Sequence, residues 1–331
     1  MFFSIIVPLY NRPQEINEML DSLTKQKYSN FEVIVIEDGS SIPAKDIVES
    51  YKGRLDVHYY YKNNQGQGFA RNDGFAKAKG DWYIVFDSDI IVPAEYLQHV
   101  LLGINSQNLD AFGGPDAAHE SFTDIQKAIS YSMTSPFTTG GIRGNRAHVG
   151  VFHPRSFNMG ISRKVYEKTK GFRLSRRSED IEFSIRMIEE GFRVGLIPDA
   201  FVYHKRRANF EQFFQQAQSF GKGRIDIYKL FPNELKLVHA LPSFFVIGLV
   251  VLLCCIIVNI VFSSRFTFLF FLCYVGIGLL VLYTVLLFLH ALGKTRSLEI
   301  AGLAVVAAYT QICAYGTGFL GSYIEKVVLK K

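Results

Sequence analysis

Trp82-Tyr83-Ile84-Val85-Phe86-Asp87-Ser88-Asp89 is the stretch whose reading decides the fold. Five apolar residues that stop at a polar turn read as a short strand buried on both faces. Upstream, Phe3-Ser4-Ile5-Ile6-Val7, Phe31 to Ile36 and Val57 to Tyr61 repeat the pattern. Helical stretches separate them, notably Gln14 to Gln26 and Phe69 to Lys79. Strands alternating with helices predict a doubly wound α/β sheet of mixed or parallel strands. Such sheets bind ligands beyond the carboxyl ends of their strands. The informative residues are therefore Pro8-Leu9-Tyr10-Asn11-Arg12, Glu37-Asp38-Gly39-Ser40-Ser41 and Asp87-Ser88-Asp89. No G-x-G-x-x-G follows the first strand and no G-x-x-x-x-G-K-[ST] occurs, so dinucleotide oxidoreductase and P-loop readings lack their phosphate cradle. Gly66-Gln67-Gly68 follows the third strand and predicts a turn that opens a helix.

Beyond the sheet the composition changes. The chain has 331 residues, 49% hydrophobic and 20% charged, which excludes a disordered or collagenous class. From Leu241 onward only Arg265, Lys294, Arg296, Glu299, Glu325, Lys326, Lys330 and Lys331 are charged. Residues 241–262 and 266–292 are free of Asp, Glu, Lys and Arg, and each is long enough as a helix to cross a hydrocarbon core of about 30 Å. A third stretch, 298–323, is interrupted by Glu299. Basic residues before the first span and between the second and third place the N-terminal domain in the cytoplasm. Lys326, Lys330 and Lys331 then conflict with that rule if the third stretch crosses, so a re-entrant or interfacial path stays open. The expected organisation is a cytoplasmic domain at 1–208, an amphipathic interfacial helix and linker at 209–236, and a membrane anchor at 237–331. Phe210, Phe213, Phe214 and Ala217 at helical spacing, directly before Lys222 and Arg224, fit such an interfacial helix, with a core helix as the plainer alternative. The four cysteines lie in the apolar runs and read as small hydrophobes. Net charge +6 is explained by membrane phosphate and calls for no nucleic acid.

Asp87 and Asp89 stand two apart at a strand end, so both carboxylates point to one side. Hard oxygen ligands there suit Mg²⁺ or Mn²⁺ with a diphosphate; a strand-end turn with Asp89 as a cap is the plainer reading. Asp38, before Gly39 and two serines, suits a ring N–H or ribose hydroxyls as well as an Asx turn. Glu179-Asp180 begins a helix with Ile181, Ile185 and Ile188 on its apolar face, where acids are often only dipole partners. Between Gly113 and Phe172, Arg143, Arg146, His148 and Arg155 suit a phosphate-bearing acceptor or a charged surface loop.

The ordered set Val7-Pro8-Leu9-Tyr10-Asn11, Glu37-Asp38-Gly39-Ser40, Gly68-Phe69-Ala70-Arg71-Asn72, Gly80-Asp81, Phe86-Asp87-Ser88-Asp89, Glu179-Asp180 and Pro198-Asp199 through His204 resembles the family 2 glycosyltransferases over about 200 residues. These are inverting enzymes of the GT-A fold. The resemblance implies a nucleotide-diphosphate sugar, UDP for preference, held by Pro8, Tyr10, Asn11, Arg12, Glu37, Asp38, Gly68, Arg71, Asp87 and Ser88. It implies a divalent metal, Mn²⁺ or Mg²⁺, at Asp89, with His204 a further metal or phosphate ligand or a structural residue. Asp180 would be the catalytic base, and Glu179, Asn158, Arg143 and Arg146 would meet the acceptor. Glu37 stands where the family usually has Asp, and Gln215-Gln216-Ala217-Gln218-Ser219 does not match the Q-x-x-R-W of processive synthases. The expected activity is transfer to a lipid-linked acceptor, polyprenyl phosphate or a lipid-linked oligosaccharide, at the inner or plasma membrane. The alternatives are a non-processive enzyme extending a cell-surface polysaccharide or glycolipid, and an inactive membrane-anchored binding protein.

Overall fold

The computed structural model describes residues 1–139, 152–261 and 267–330. Its contacts divide the chain into two compact units, Met1–Glu120 with Ile142–Lys205, and Ser121–Gly141 with Arg206–Lys331.

The first unit alternates as the apolar runs predict: β1 (Phe3–Leu9), α1 (Pro13–Leu23), β2 (Phe31–Asp38), α2 (Lys45–Glu49), β3 (Val57–Lys62), α3 (Gln67–Lys77) and β4 (Trp82–Phe86). It continues through β5 (Ile90–Ile91), α4 (Tyr96–Gln107), β6 (Ala111–Gly113) and β7 (Asp116–Ala117). In the second unit lie α5 (Asp124–Thr134) and α6 (Pro136–Thr139), after which the first resumes with β8 (Asn158–Ser162), α7 (Arg163–Thr169), α8 (Glu179–Glu189), β9 (Val194–Leu196) and β10 (Val202–His204). Seven strands form one sheet in the order β3-β2-β1-β4-β8-β6-β9. β1 to β4 are parallel, whereas β8 runs antiparallel to both β4 and β6. The sheet is thus mixed, as expected for a GT-A-like domain. Its two faces bury separate clusters, Ile5, Val33, Val35 and Ile84 on one and Ile6, Ile34, Val85 and Met159 on the other. That two-sided burial explains why the strands read as continuous apolar runs. In α1, Ile16, Met19, Leu20 and Leu23 form the buried stripe that joins the first cluster.

A smaller sheet, β5-β10-β7, bears on function. Antiparallel pairing sets His204 opposite Ile90, directly after Asp89.

The second unit adds α9 (Phe210–Leu230), α10 (Leu241–Val261), α11 (Thr267–Thr295) and α12 (Leu298–Tyr323) to α5 and α6. Among the described residues, three helices are long and apolar enough to cross a membrane, Leu241–Val261, Phe268–Thr295 and Leu298–Val328. They differ in surroundings. α10 turns Phe244, Ile247, Leu253 and Ile257 outward, whereas α12 buries Ala301, Ala304, Ala307 and Ala308 among α5, α9, α10 and α11. Ser132 of α5 donates to Gln311 of α12 at 2.6 Å. α9 also departs from expectation: Phe213 and Ala217, expected in lipid, are buried, and Phe213 shares a cluster with Ala307. Further along, a Cβ on Gly221 would fall 2.2 Å from the Tyr315 carbonyl oxygen, and Lys326 pairs with Asp226 at 2.5 Å. α9 therefore runs parallel to and in close contact with α12.

Candidate active site

The loops after β1 and β2 are tied by Asn11. Its backbone is left-handed (φ 52°), which asparagine tolerates. Its Oδ1 accepts from the backbone N–H of Ser41 (2.8 Å) and Ile42 (3.1 Å), and its own N–H donates to Ser40 Oγ (2.8 Å). Tyr10 beside it is 52% exposed, Pro8 half-buried.

Glu37 and Asp38 work inside this frame. Glu37 is fully buried, accepting from the Ala44 N–H (2.8 Å), the Tyr59 hydroxyl (3.0 Å) and Ser40 Oγ. Burial, then the bond to Glu37, pushes the Tyr59 phenol up from its usual range. Asp38 uses both oxygens on backbone, Oδ1 on Gln65 N–H (2.9 Å) and Oδ2 on Gly66 N–H (2.8 Å). This clasps the loop that opens α3. Gly66 takes φ +98°, which an L side chain resists. Gly68 lets α3 approach closely, since a Cβ there would lie 2.1 Å from the Leu174 carbonyl oxygen. Glu37, Asp38 and Gly68, expected at the nucleotide, make these contacts within the loops at the sheet edge.

Arg71, also expected at the nucleotide, makes two internal ion pairs. It is 1% exposed and donates from Nη2 to Asp87 Oδ1 (2.7 Å) and from Nη1 to Glu179 Oε1 (2.9 Å), which also accepts from Gln67 Nε2 (2.6 Å). Burial alone would lower the Arg71 pKa, but Asp87 and Glu179 outweigh it and raise it. Burial, outweighing Arg71 and reinforced by Asp180, raises Glu179. Glu179, expected at the acceptor, is thus a buried anchor that couples the start of α8 to the end of β4. Removing the cation would strand two carboxylates, so Arg71→Met should destabilise the protein by about 3–5 kcal/mol. Lysine cannot replace its two-pronged geometry. Chemical unfolding of the detergent-solubilised full chain checks this, and a loss below about 1 kcal/mol would contradict it.

Asn158, also expected at the acceptor, is wholly buried, accepting from the Tyr96 hydroxyl (2.5 Å) and donating to the Ala200 carbonyl (2.8 Å). It braces α4 against the segment before β10. Arg143, Arg146 and His148 lie outside the described residues.

Asp87, Asp89 and His204 converge, with one ligand atom from each within 4.8 Å of the others. Arg12 pairs with Asp89 Oδ2, and His204 Nε2 lies 3.2 Å from Asp89 Oδ1. Phe157 stacks on the His204 ring at 4.8 Å between centroids. Burial would raise the Asp89 carboxyl, but His204 and then Arg12 overcome it and hold it well below the usual range. Asp89 Oδ1 is nonetheless buried without a hydrogen bond. An unsatisfied buried carboxylate oxygen beside a second carboxylate and an imidazole fits a divalent cation such as Mn²⁺ or Mg²⁺. Ser88, between the two acids, is buried.

Asp180, in the first turn of α8, keeps 18% of its side chain exposed. Its Oδ1 accepts from the Ile181 N–H (2.8 Å), and its Oδ2 lies 3.7 Å from Arg155 Nη1. Of the two acids that open α8, one is locked inward and the other stays partly exposed. Gln67, Phe157 and Tyr96 escaped sequence reasoning. Only Gln67 carried a signal, its i, i+4 spacing from Arg71.

Residues 4–170 match the family described as Glycosyl transferase family 2. An uncharacterised glycosyltransferase of Haemophilus influenzae is 32% identical over 193 residues, 56% of this chain and 62% of that protein's length. Glycosyltransferase AglE of Haloferax volcanii is 24% identical across 75% of this chain and 81% of its own. Among solved structures, the mannosyltransferase PcManGT from Pyrobaculum calidifontis, in complex with GDP-Man and Mn²⁺, shares the fold with a TM-score of 0.58 and 15% identity, covering 98% of this chain and 87% of that one. A family match over half the chain agrees with a GT-A-like sheet whose acidic loops gather at one edge, and the chain accordingly belongs to glycosyl transferase family 2.

Proposed function

We propose that this glycosyltransferase moves a sugar from a nucleotide-diphosphate donor to a lipid-linked acceptor with inversion, using Asp180 as general base. The observation that carries the reading is the split between neighbours: Arg71 and Gln67 hold Glu179, while Asp180 projects from the head of α8. Asp180 takes the proton of the acceptor hydroxyl, and that oxygen attacks the anomeric carbon from the face opposite the departing nucleotide. Arg155 steadies the carboxylate from its far side. Tyr10 and Arg12 flank the donor loop, and UDP is the favoured nucleotide. A divalent cation held by Asp87, Asp89 and His204 would neutralise charge on the leaving diphosphate; the Mn²⁺ in PcManGT supports that assignment.

A lipid-linked acceptor is favoured by the apolar helices and by a relative from Methanococcus voltae, 22% identical over 70% of this chain, whose name describes transfer to a dolichyl N-acetyl-alpha-D-glucosaminyl phosphate. A polymer acceptor has narrower support, from 36% identity over 114 residues to the poly(ribitol-phosphate) beta-N-acetylglucosaminyltransferase TarS of Staphylococcus aureus. Assays of the full chain in lipid vesicles should show turnover at least about tenfold faster with a polyprenyl-phosphate-linked acceptor than with a water-soluble polyol phosphate. Equal rates would overturn the lipid assignment.

The catalytic unit is read as cytoplasmic, with α10 and α11 crossing and α12 held at the surface. α9 carries Glu211, Lys222, Arg224, Asp226 and Lys229, too many charges for hydrocarbon, and α12 runs beside it to the Asp226–Lys326 pair. A reporter fused after Lys331 should then be cytoplasmic. An external reporter would mean that α12 crosses.

A further inference from the structure

A second group of ligand-type side chains sits at the opposite end of the sheet. Glu32 is the second residue of β2, Asp56 directly precedes β3, and His58 is the second residue of β3. The parallel register pairs Val33 with Val57 and Ile34 with His58, so Glu32, Asp56 and His58 share one face of the sheet. Asp38, at the far end of β2, is six residues along the strand from Glu32, about 20 Å away. The group is therefore separate from the acidic loops at the carboxyl edge.

Glu32 is 1% exposed. Its Oε1 accepts from Ser4 Oγ (2.6 Å) and from the Lys79 N–H (2.8 Å), but its Oε2 is buried without a hydrogen bond. His58 Nε2 faces that oxygen at 3.6 Å and lies 3.1 Å from Asp56 Oδ1, and it too is buried without a hydrogen bond. The three ligand atoms lie within 4.8 Å of one another. A buried carboxylate oxygen left unpaired is costly, and His58 Nε2 approaches both acids without a hydrogen bond to either. Ligands on a tetrahedral ion with bonds near 2.1 Å stand about 3.4 Å apart. The separations of 3.1 and 3.6 Å bracket that spacing. Asp56 is 59% exposed, which opens one side to water and to an entering ion.

We propose that Glu32, Asp56 and His58 form a second divalent metal site that takes Zn²⁺, closed by water. An imidazole and two carboxylates at near-tetrahedral spacing suit Zn²⁺. The ion pins the outermost strand, β3, to β2. Through Glu32 it also supports the turn in which Gly80 N–H donates to Ser4 Oγ at 2.8 Å. This site is independent of the proposed reaction.

The test is Zn²⁺ titration of the chelator-stripped full chain in detergent, followed by calorimetry. Asp89→Ala serves as background, so that the catalytic-edge cluster does not contribute. That variant should still bind one equivalent, and adding His58→Ala should weaken binding at least about 100-fold. Asp56→Asn, a change at an exposed position that spares the fold, should weaken it at least about tenfold in the same background. Absence of Zn²⁺ binding in the Asp89→Ala variant, or binding that Asp56→Asn leaves unchanged, would overturn the site.

Discussion

Asp180→Asn is expected to lower turnover by about 10²–10⁴-fold, the usual contribution of a positioned general base, while nucleotide-sugar affinity changes less than about twofold. Asparagine keeps the size of the side chain, and its carbonyl oxygen can still accept from the Ile181 N–H, as Asp180 Oδ1 does. The head of α8 should therefore keep its geometry and lose only the proton acceptor. Glu179→Gln is the informative contrast. Glu179 is buried against Arg71 and Gln67, so its loss should lower stability and activity together. Steady-state kinetics with donor binding by calorimetry separate the two cases. Wild-type turnover in Asp180→Asn would remove the base from the account.

The second large effect belongs to Asp89. Asp89→Ala removes the carboxylate between Arg12 and His204 and leaves the guanidinium and the imidazole without their shared partner. Donor-dependent turnover should fall at least about 10²-fold, and Mn²⁺ should no longer restore activity to chelator-treated protein. His204→Ala leaves the Arg12 pair intact and should raise the Mn²⁺ needed for half-activity by about 10–100-fold. The sign of the pH effect follows from the lowered Asp89 pKa. Its contribution to stability is complete above the ordinary carboxylate range and is lost only as pH falls toward the depressed folded-state value. Full activity after exhaustive chelation, or in Asp89→Ala, would contradict this part of the account.

The parallel half of the sheet was readable because its strands are buried on both faces: Phe3 to Val7 and Trp82 to Phe86 are buried throughout, with Ser4 the one polar side chain among them. The acidic loops were readable for a related reason, since each ends such a run. What the side chains do there was not. Asp38 meets Gln65 and Gly66 across 27 and 28 residues, and Arg71 meets Glu179 across 108. Such pairings depend on tertiary closure, which local pattern does not encode. Asn158 looked like a polar residue available to a ligand, yet antiparallel pairing of β8 with β4 sets it opposite Phe86 in the interior. α5 carries a Thr123–Gln126 capping box and a helical stripe, but nothing in its own residues announces that it packs with α12.

The anomeric configuration of the product tests the central claim most directly. With an α-linked nucleotide sugar as donor, proton NMR of the first-formed glycoside should show the β anomer, as a single displacement assisted by Asp180 requires. An α-linked product would contradict it.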